Sequence, residues 1–390
     1  MNICRRMVVP NSLAVSKTIA TLTTRKLFES TVQGFCSSTS TSANKFDFEK
    51  EREEFHNALP GVIDVLAKHE KFQEIPAADK WMRNVLNGNL MGGKNMRGLN
   101  TVMTYKMIEK PENITEETLR LARTLGWCAE ILQAYCLVLD DIADGSVTRR
   151  GMPCWYRRED VGIANAINDA TLIHYSILQI LRANFEKSPN YVNIFHNFNE
   201  TLFFTSLGQY LDIMTGLNKK NYNLFTMEHY DAIVKHKSAY YTFKLPITLG
   251  LMLANQFNEE THKTADDISM QLGRLFQMQD DYIDCFGDEN MTGKMGTDIQ
   301  EDKCSWLAVK ALQQCKPNHR AVFTVCYGSK EPAHVERIKQ LYAQLKIPQL
   351  YKEEENEIYN NIIQRIQDVS SKAERELYLQ VLNGQYGRKH

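Results

Sequence analysis

Apolar residues recur at helical spacing along almost the whole chain after residue 45. The first stripe consists of Phe48, Phe55, Leu59, Val62, Ile63 and Leu66. The stretch 119–135 is apolar on most faces, which is typical of a helix buried in a core. Similar patterns run over 163–185, 192–215, 266–286, 306–312 and 358–382, whereas alternating β-branched runs are scarce. The pattern therefore predicts an all-α fold.

Length and linker composition limit the number of domains. A chain of 390 residues is long enough for two or three domains. No stretch rich in Pro, Gly and Ser divides it after residue 45, so a single large helical domain over 46–390 is equally allowed. No run approaches the ~18–20 apolar residues that a membrane span requires.

The first 45 residues differ in composition from the rest. They contain a single acid, Glu29, and are crowded with Ser and Thr through Ser42. Their basic residues are Arg5, Arg6, Lys17, Arg25, Lys26 and Lys45. A basic, hydroxyl-rich segment of this kind is typical of an organelle transit peptide, and it predicts a mitochondrial protein. The alternative is a disordered tail with no targeting role, in which case the protein would be cytoplasmic.

Charge and cysteine usage exclude several classes of function. The formal net charge is −1 and the basic residues are dispersed among acidic ones, which argues against a nucleic-acid binder. The nine cysteines are odd in number and no pair has C-x-x-C spacing. That pattern indicates reduced thiols rather than a disulfide scaffold or a zinc site.

Two aspartate clusters with the same spacing follow apolar helical stretches, D-D-I-A-D at 140–144 and D-D-Y-I-D at 280–284. In a helix, positions i and i+4 share a face, so the two outer carboxylates of each cluster point the same way. These outer residues are Asp140, Asp144, Asp280 and Asp284. The alternative for one such cluster is a solvated acidic helix end, but two with identical spacing favour a metal site.

The position of the clusters within their helices also favours bound cations. Gly145 and Gly287 follow the clusters, which predicts that both lie in the last helical turn. There the helix dipole disfavours each anion by roughly 0.3–1 kcal/mol. Hard oxygen ligands on two facing helices suit Mg²⁺ that is also bound by a phosphate substrate.

Basic clusters supply the positive charge that such a substrate would need. G-G-K-N-M-R-G at 92–98 combines two cations with glycines whose freed amides can cradle a diphosphate. The segment 292–298, T-G-K-M-G-T-D, is a glycine-containing loop that could act as a lid beside the second cluster. The cations in question are Lys94, Arg97, Arg149, Arg150, Lys237, Lys294 and Lys303. Each alone is typical of a surface residue; together they indicate a cavity for two diphosphates.

The ordered motifs resemble those of trans-isoprenyl diphosphate synthases of the eukaryotic farnesyl diphosphate synthase type. The resemblance runs from about residue 46 to the C-terminus and includes G-G-K-N-M-R-G, both aspartate clusters, G-Q-Y-L-D at 208–212 and K-S-A-Y-Y-T-F-K-L-P at 237–246. It implies one all-helical bundle with a deep central cavity, a homodimer and three Mg²⁺ ions, with Mn²⁺ or Co²⁺ as substitutes. It also implies head-to-tail 1'-4 condensation of isopentenyl diphosphate with dimethylallyl and geranyl diphosphate.

The resemblance further implies a role for each matching residue. Asp140 and Asp144 would bind metal ions from one side, and Asp280 with Asp284 from the other. The allylic diphosphate would be held by Arg149, Lys237, Lys294 and Lys303. Isopentenyl diphosphate would be held by Lys94, Arg97, Gln133 and Arg150. Ser238 and Gln277 would lie near the developing allylic cation, which makes them, with Lys237 and Arg149, the predicted catalytic residues.

The chain departs from the family pattern at three places. Two aromatic residues usually form the floor of the chain-growth pocket, and here Tyr135 and Cys136 stand there. The thiol either frees volume for a longer or branched allylic chain or is plain core packing compensated by a neighbour. Ser238 replaces the usual threonine, and Lys244 stands where an aromatic residue is common, without a physical explanation from the sequence.

Three other functions remain as alternatives. A terpene synthase on the same scaffold would ionise one prenyl diphosphate, but it would have no use for the predicted isopentenyl diphosphate site. A non-catalytic subunit would be expected to lack metal-binding aspartates, and all six are present. A synthase of longer prenyl chains is partly opposed by Tyr135, which would plug the floor.

Overall fold

The computed structural model describes the chain in four stretches. These stretches are 46–67, 74–217, 220–287 and 296–386. The chain divides after Asp47, and every helix below lies in the second unit, Phe48–His390. The predicted transit peptide and Lys294 lie outside the described residues.

The described part of the second unit is helical almost throughout. In chain order its helices are α1 (Phe48–Ala67), α2 (Pro76–Leu90), α3 (Met96–Ile108), α4 (Glu116–Asp144), α5 (Gly162–Phe185), α6 (Tyr191–Leu217), α7 (Met227–Ile233), α8 (Leu245–Leu253), α9 (Glu259–Phe286), α10 (Trp306–Gln314), α11 (Pro317–Cys326), α12 (Pro332–Gln344), α13 (Ile347–Gln367) and α14 (Lys372–Tyr386). Short 3₁₀ turns lie at Pro111–Asn113, Trp155–Arg157 and Tyr222–Leu224, and a hairpin pairs β1 (Thr148–Arg149) with β2 (Met152–Pro153).

The long helix α4 lies at the centre of the core, where it packs against α1, α2, α3, α5 and α8. Its side chains between Leu125 and Leu132 are almost fully buried, which agrees with a stretch that is apolar on most faces. The Trp127 ring stacks on Phe55 of α1 at a centroid distance of 4.3 Å. This central position brings the end of α4, with the first aspartate cluster, against neighbouring helices.

A buried carboxylate fixes the segment that follows the hairpin. Asp169 on α5 accepts hydrogen bonds from the indole nitrogens of Trp81 (2.7 Å) and Trp155 (2.9 Å). Because a buried carboxylate must be satisfied by donors, the two bonds tie α2 and the 155–157 turn to α5. The hairpin before Trp155 is thereby held close to the core.

The all-α prediction is confirmed, and one finer prediction is wrong. The stretch 358–382 is not one helix, because α13 ends at Gln367 and α14 begins at Lys372. The Ser371 hydroxyl accepts from the Glu374 amide, and Arg375 donates to two carbonyl groups in the break. The segment Val234–Lys244 is also helical, but it is wound as a π-helix. Among the described helices, none is long and apolar enough to cross a membrane.

Candidate functional site

The first aspartate cluster lies at the end of α4, as the glycine that follows it predicts. The helix ends at Asp144, and Gly145 takes a left-handed conformation with φ of 64°. The Gly145 amide donates to the carbonyl groups of Asp141 and Ile142, which closes the helix. Asp140 and Asp144 are half-buried on one helical face, whereas Asp141 between them is buried.

Asp141 holds Arg149. The Asp141 Oδ1 atom accepts from Arg149 Nε at 3.0 Å and from Nη2 at 2.5 Å. The same Nη2 lies 3.6 Å from Asp140 Oδ2. The middle aspartate therefore orients a cation toward the outer carboxylates rather than joining them.

The hairpin determines where Arg149 and Arg150 lie. Arg149 pairs with Met152 across a two-residue turn formed by Arg150 and Gly151. Both turn residues have positive φ, 54° and 74°, as a tight hairpin of this kind requires. Arg150 donates to the Met91 carbonyl at 2.9 Å, which brings it to the loop that carries Lys94.

Two lysines and a third aspartate complete an ionic cluster around the first aspartates. Lys237 Nζ lies 3.0 Å from Asp140 Oδ1 and 2.6 Å from Asp212 Oδ2. Lys303 Nζ lies 2.8 Å from Asp144 Oδ1 and 2.8 Å from the same Asp212 oxygen. Each lysine is thus shared between one aspartate of the first cluster and Asp212.

Burial and opposite charge together set the pKa values in this cluster. Burial lowers the pKa of Lys237, but Asp140 and Asp212 outweigh it and raise that pKa well above its ordinary value. Lys303 behaves in the same way. Burial raises the pKa of Asp212, but the two lysines outweigh it and hold that pKa well below its ordinary value. Both ammonium groups therefore stay charged at any physiological pH.

Three carboxylates of this cluster are suited to a divalent ion. Ligand oxygens of Asp140, Asp144 and Asp212 lie within 4.8 Å of one another. Mg²⁺ prefers octahedral oxygen ligands at about 2.0–2.1 Å and commonly uses one or two carboxylates together with a phosphate. Asp140 and Asp144 fit this donor set, while Asp212 is engaged by two lysines.

The π-helical segment brings Lys237 to the cluster because glycines allow its neighbours to approach closely. A Cβ atom on Gly208 of α6 would lie 2.1 Å from the Lys237 backbone nitrogen. A Cβ atom on Gly273 of α9 would lie 2.3 Å from the Ala239 Cβ atom. The segment is thus packed against α6 and α9 at distances that only glycine permits. π-Helical turns often mark functional sites.

The second aspartate cluster lies near the end of α9 and has a different local environment. Asp284 accepts hydrogen bonds from the amides of Thr297 (3.3 Å) and Asp298 (3.0 Å), so it holds the start of the described 296–305 segment. Asp280 lies one turn earlier on the same face of α9. Neither residue belongs to the group of converging carboxylates formed by Asp140, Asp144 and Asp212.

A hydrogen-bonded chain connects the predicted catalytic residues Ser238 and Gln277. The Ser238 hydroxyl donates to Gln277 Oε1 at 2.8 Å, and Gln277 Nε2 donates to Asp281 Oδ1 at 3.0 Å. Asp281 is buried and also accepts from the Trp306 amide at 2.8 Å. Burial raises the pKa of Asp281 to about 7, although these donors oppose the shift. Asp281, the middle aspartate of this cluster, therefore holds Gln277 in place, as Asp141 holds Arg149.

The four residues predicted to hold isopentenyl diphosphate are only partly brought together. Lys94 is exposed on the loop before α3, and the Arg150 guanidinium packs against Gly93 of that loop. Arg97 is only 6% exposed, donates to Thr242 Oγ1 at 2.7 Å and lies 4.4 Å from the centre of the Tyr241 ring. Its Nε has no hydrogen-bond partner among the described residues. Gln133 is half-buried on α4.

The residues at the predicted pocket floor lie one turn before the first cluster. Cys136 precedes Asp140 by four residues and so shares its helical face. Burial raises the pKa of the Cys136 thiol to about 12, with an opposing influence from Arg97 and Lys237, so the thiol is neutral and sits among the site's charges. The Tyr135 ring packs against His174 of α5 at a centroid distance of 5.5 Å.

Sequence reasoning missed two polar residues on α6 and could not explain one on the π-helical segment. Asp212 engages both lysines, and Gln209 Nε2 donates to Asp140 Oδ1 at 3.1 Å. Both belong to the G-Q-Y-L-D motif, and a carboxylate in an otherwise nearly uncharged helix is a signal that could have found Asp212. Lys244 pairs with Asp266 at 2.7 Å, which accounts for a buried lysine at that position.

The chain is similar to known proteins in both sequence and structure. Residues 79–345 match the family model described as polyprenyl synthetase. The farnesyl pyrophosphate synthase of Murgantia histrionica is 44% identical over 301 residues, which cover 77% of this chain and 74% of that protein. That of Gallus gallus is 39% identical over 343 residues, covering 87% and 93%. The structure of T. brucei farnesyl diphosphate synthase complexed with risedronate superposes with a TM-score of 0.81 at 29% identity, covering 87% and 99%.

The close contact at Gly208 predicts a difference between two glycine substitutions in α6. In Gly208→Ala the new methyl group would overlap the Lys237 backbone, so we expect a loss of about 1–3 kcal/mol in the free energy of unfolding. Gly216→Ala is the matched control, because the nearest atom to its new Cβ is 3.9 Å away. It should be neutral or slightly stabilising. Urea unfolding measures both, and equal effects would contradict the assigned role of Gly208.

Proposed function

The chain belongs to the polyprenyl synthetase family, and we propose that it is a short-chain trans-prenyltransferase of the farnesyl diphosphate synthase type. It condenses isopentenyl diphosphate with dimethylallyl and geranyl diphosphate, head to tail, to make farnesyl diphosphate. One observation carries this conclusion from the structure. Two half-buried, charged lysines and three converging carboxylates form one cluster at the end of the central helix. Such a cluster suits an anionic leaving group that arrives with divalent metal ions.

The reaction depends mainly on stabilisation of the leaving group, and less on an acid or a base. Breaking the allylic carbon–oxygen bond gives an allylic cation and free diphosphate. Lys237, Lys303 and Arg149 can stabilise the charge that develops on the diphosphate, because the protein already holds them in place. Mg²⁺, held by Asp140 and Asp144 and, as we propose, by Asp280 with Asp284, would neutralise the same charge when bound.

The second half of the reaction needs orientation and exclusion of water. The homoallylic double bond of isopentenyl diphosphate attacks the cation, a new carbon–carbon bond forms, and a proton leaves. We propose that Lys94, Arg97, Gln133 and Arg150 hold this second substrate and that the departed diphosphate accepts the proton. The unpaired Nε of buried Arg97 supports an anion at that position, because buried donors are normally satisfied. Ser238 and Gln277, which are hydrogen-bonded to each other, would face the cation with neutral dipoles.

The finer features of metal use and location are also proposals. Three Mg²⁺ ions would serve the two aspartate clusters, with Mn²⁺ or Co²⁺ as substitutes. Residues 1–45 would direct the protein to the mitochondrion, as their basic, acid-poor composition supports. Fusing these residues to a fluorescent reporter and fractionating the cells tests the targeting role, and a uniformly cytosolic reporter would contradict it.

We also propose that the protein is a homodimer whose subunits meet at α5 and α6. Large apolar side chains are exposed along both helices, namely Ile163, Ile167, Tyr175, Phe203, Leu207, Tyr210 and Leu217. Among the residues of α6, only Glu200 and Asp212 are acidic, and it contains no lysine or arginine. Large exposed apolar side chains on two neighbouring helices support burial against a second copy.

Aspartate substitutions test the metal-dependent condensation. We expect Asp140→Ala or Asp280→Ala to abolish product formation while leaving the fold intact, because each removes a carboxylate that would bind the metal and diphosphate. The assay combines dimethylallyl, geranyl and isopentenyl diphosphates with Mg²⁺ and separates the dephosphorylated products by chromatography. Asp160→Ala is the control, since Asp160 is exposed and pairs with its near neighbour Arg158. Near-normal turnover by either active-site variant would refute the assignment.

Product length tests the role of Cys136. If the thiol frees volume in the chain-growth pocket, Cys136→Phe should shift products toward shorter or unbranched chains. Cys136→Ser keeps the volume similar and should give the same product lengths as the unmodified protein. Chromatography after incubation with natural and branched allylic substrates makes the measurement. An unchanged spectrum in Cys136→Phe would mean that the thiol is only packing.

A charge on the apolar surface tests the dimer. Phe203 is 61% exposed on α6, and Phe203→Glu should convert the dimer to a monomer because a carboxylate would be buried at the interface. Val325→Glu is the matched control, since Val325 is 60% exposed but lies on α11, away from α5 and α6 in sequence. Light scattering after size-exclusion chromatography gives the masses. A monomeric unmodified protein, or a dimer that survives Phe203→Glu, would count against this interface.

A further inference from the structure

Asp212 has an unusual position for a residue to which the sequence motifs assign no role. It lies in α6, is only 7% exposed, and directs one oxygen atom toward two lysines. Lys237 reaches this oxygen from the π-helical segment, and Lys303 reaches it from the segment before α10. Both ammonium nitrogens lie within 2.8 Å of it.

We propose that Asp212 is a positioning residue that holds Lys237 and Lys303 side by side for the allylic diphosphate. The inference rests on the proposed function, because it concerns the site at which that diphosphate would bind. It adds a residue that acts on substrate through the two lysines and not by direct contact. Two like charges repel, so they remain neighbours only when a third group of opposite charge lies between them.

The remaining partners of the lysines show why such a residue is needed. Apart from Asp212, Lys237 is paired with Asp140 and Lys303 with Asp144. These two aspartates are the ones that a metal ion would engage when the substrate arrives. A lysine that loses its first-cluster aspartate to a metal ion still keeps Asp212. Its ammonium group is thereby retained at the site while its second partner changes from an aspartate to a phosphate oxygen.

The geometry favours positioning over metal binding by Asp212 itself. Its Oδ2 atom already accepts from two ammonium groups, and a metal ion at that atom would have to displace at least one of them. Gln209, three residues earlier on α6, donates to Asp140 Oδ1. This turn of α6 therefore holds the lysines through Asp212 and the first-cluster carboxylate through Gln209.

Steady-state kinetics of Asp212→Asn test the proposal. The amide cannot hold two ammonium groups, so we expect the KM for geranyl diphosphate to rise by about tenfold or more. The KM for isopentenyl diphosphate should change less than about twofold, since no group predicted to bind it contacts Asp212 in the described structure. Equal changes in both KM values, or none in either, would overturn the proposal.

A double-mutant cycle separates positioning from a direct role. If Asp212 acts through Lys303, then Asp212→Asn combined with Lys303→Gln should be no worse in geranyl diphosphate KM than the poorer single variant. Strictly additive losses would contradict action through that lysine. The double variant also serves if Asp212→Asn alone does not fold, because it removes one of the two half-buried ammonium groups that would otherwise lack Asp212.

Two further measurements exclude a metal-ligand role and a merely structural one. An increase in the Mg²⁺ concentration for half-maximal rate, with normal geranyl diphosphate KM at saturating Mg²⁺, would show that Asp212 binds metal and would overturn the proposal. Asp266→Asn is the matched structural control. Asp266 lies on α9 and pairs at 2.7 Å with Lys244, which belongs to the same π-helical segment as Lys237. This control should leave both KM values unchanged, and a selective rise like that of Asp212→Asn would refute the specific role.

Failure of the inference can be distinguished from failure of the proposed function. If the unmodified protein forms no condensation product, the proposed function is wrong. In that case calorimetry can still compare Asp212→Asn with the unmodified protein. The probe is geranyl thiolodiphosphate, which resists ionisation, and it is added together with Mg²⁺. Weaker binding by about tenfold in the variant would support the positioning role, and unchanged binding would refute it.

Discussion

Lys237 and Lys303 are half-buried beside the carboxylates of Asp140, Asp144 and Asp212, and neither the cations nor the anions could leave water without the other. Removing an ion from water costs several kcal/mol unless an opposite charge and hydrogen bonds replace the solvent. The site therefore holds three carboxylates against two lysines before any substrate arrives. On the proposed function, a diphosphate and its metal ions would exchange partners with these groups, so that each charge keeps a partner of opposite sign.

Helix packing decides where these charges lie. The π-helical segment carries Lys237 and Ser238 between two helices that approach it at Gly208 and Gly273. Side chains that are positioned by a close backbone contact have little freedom to adjust, and catalysis by preorganised charge depends on that rigidity. The same segment contributes Tyr241 and Thr242 to the surroundings of Arg97. One irregular stretch of backbone thus connects the regions assigned to both substrates.

The sequence predicts the helices well, but not the contacts that bring side chains of different helices together. Apolar periodicity predicts α4, α6 and α9 because burial imposes a helical period. It does not reveal the π-helical winding of Val234–Lys244, or the close contacts of that segment with Gly208 and Gly273, which are distant in sequence. Asp212 was missed for the same reason: its partners lie 25 and 91 residues away. The roles of Asp280 and Lys294 stay predictions.

The hairpin turn at Arg150 and Gly151 has a consequence for reaction geometry. Arg149 points its guanidinium to the first aspartate cluster, while Arg150 reaches the loop at Met91 and Gly93. On the proposed assignment, Arg149 binds the diphosphate of the electrophile and Arg150 binds that of the nucleophile. The backbone between these consecutive residues then sets the separation of the two diphosphates. The distance between the two reacting carbons would then be fixed by the protein chain and not by the length of either prenyl tail. An active site built in this way can accept tails of different size while always joining the same two atoms.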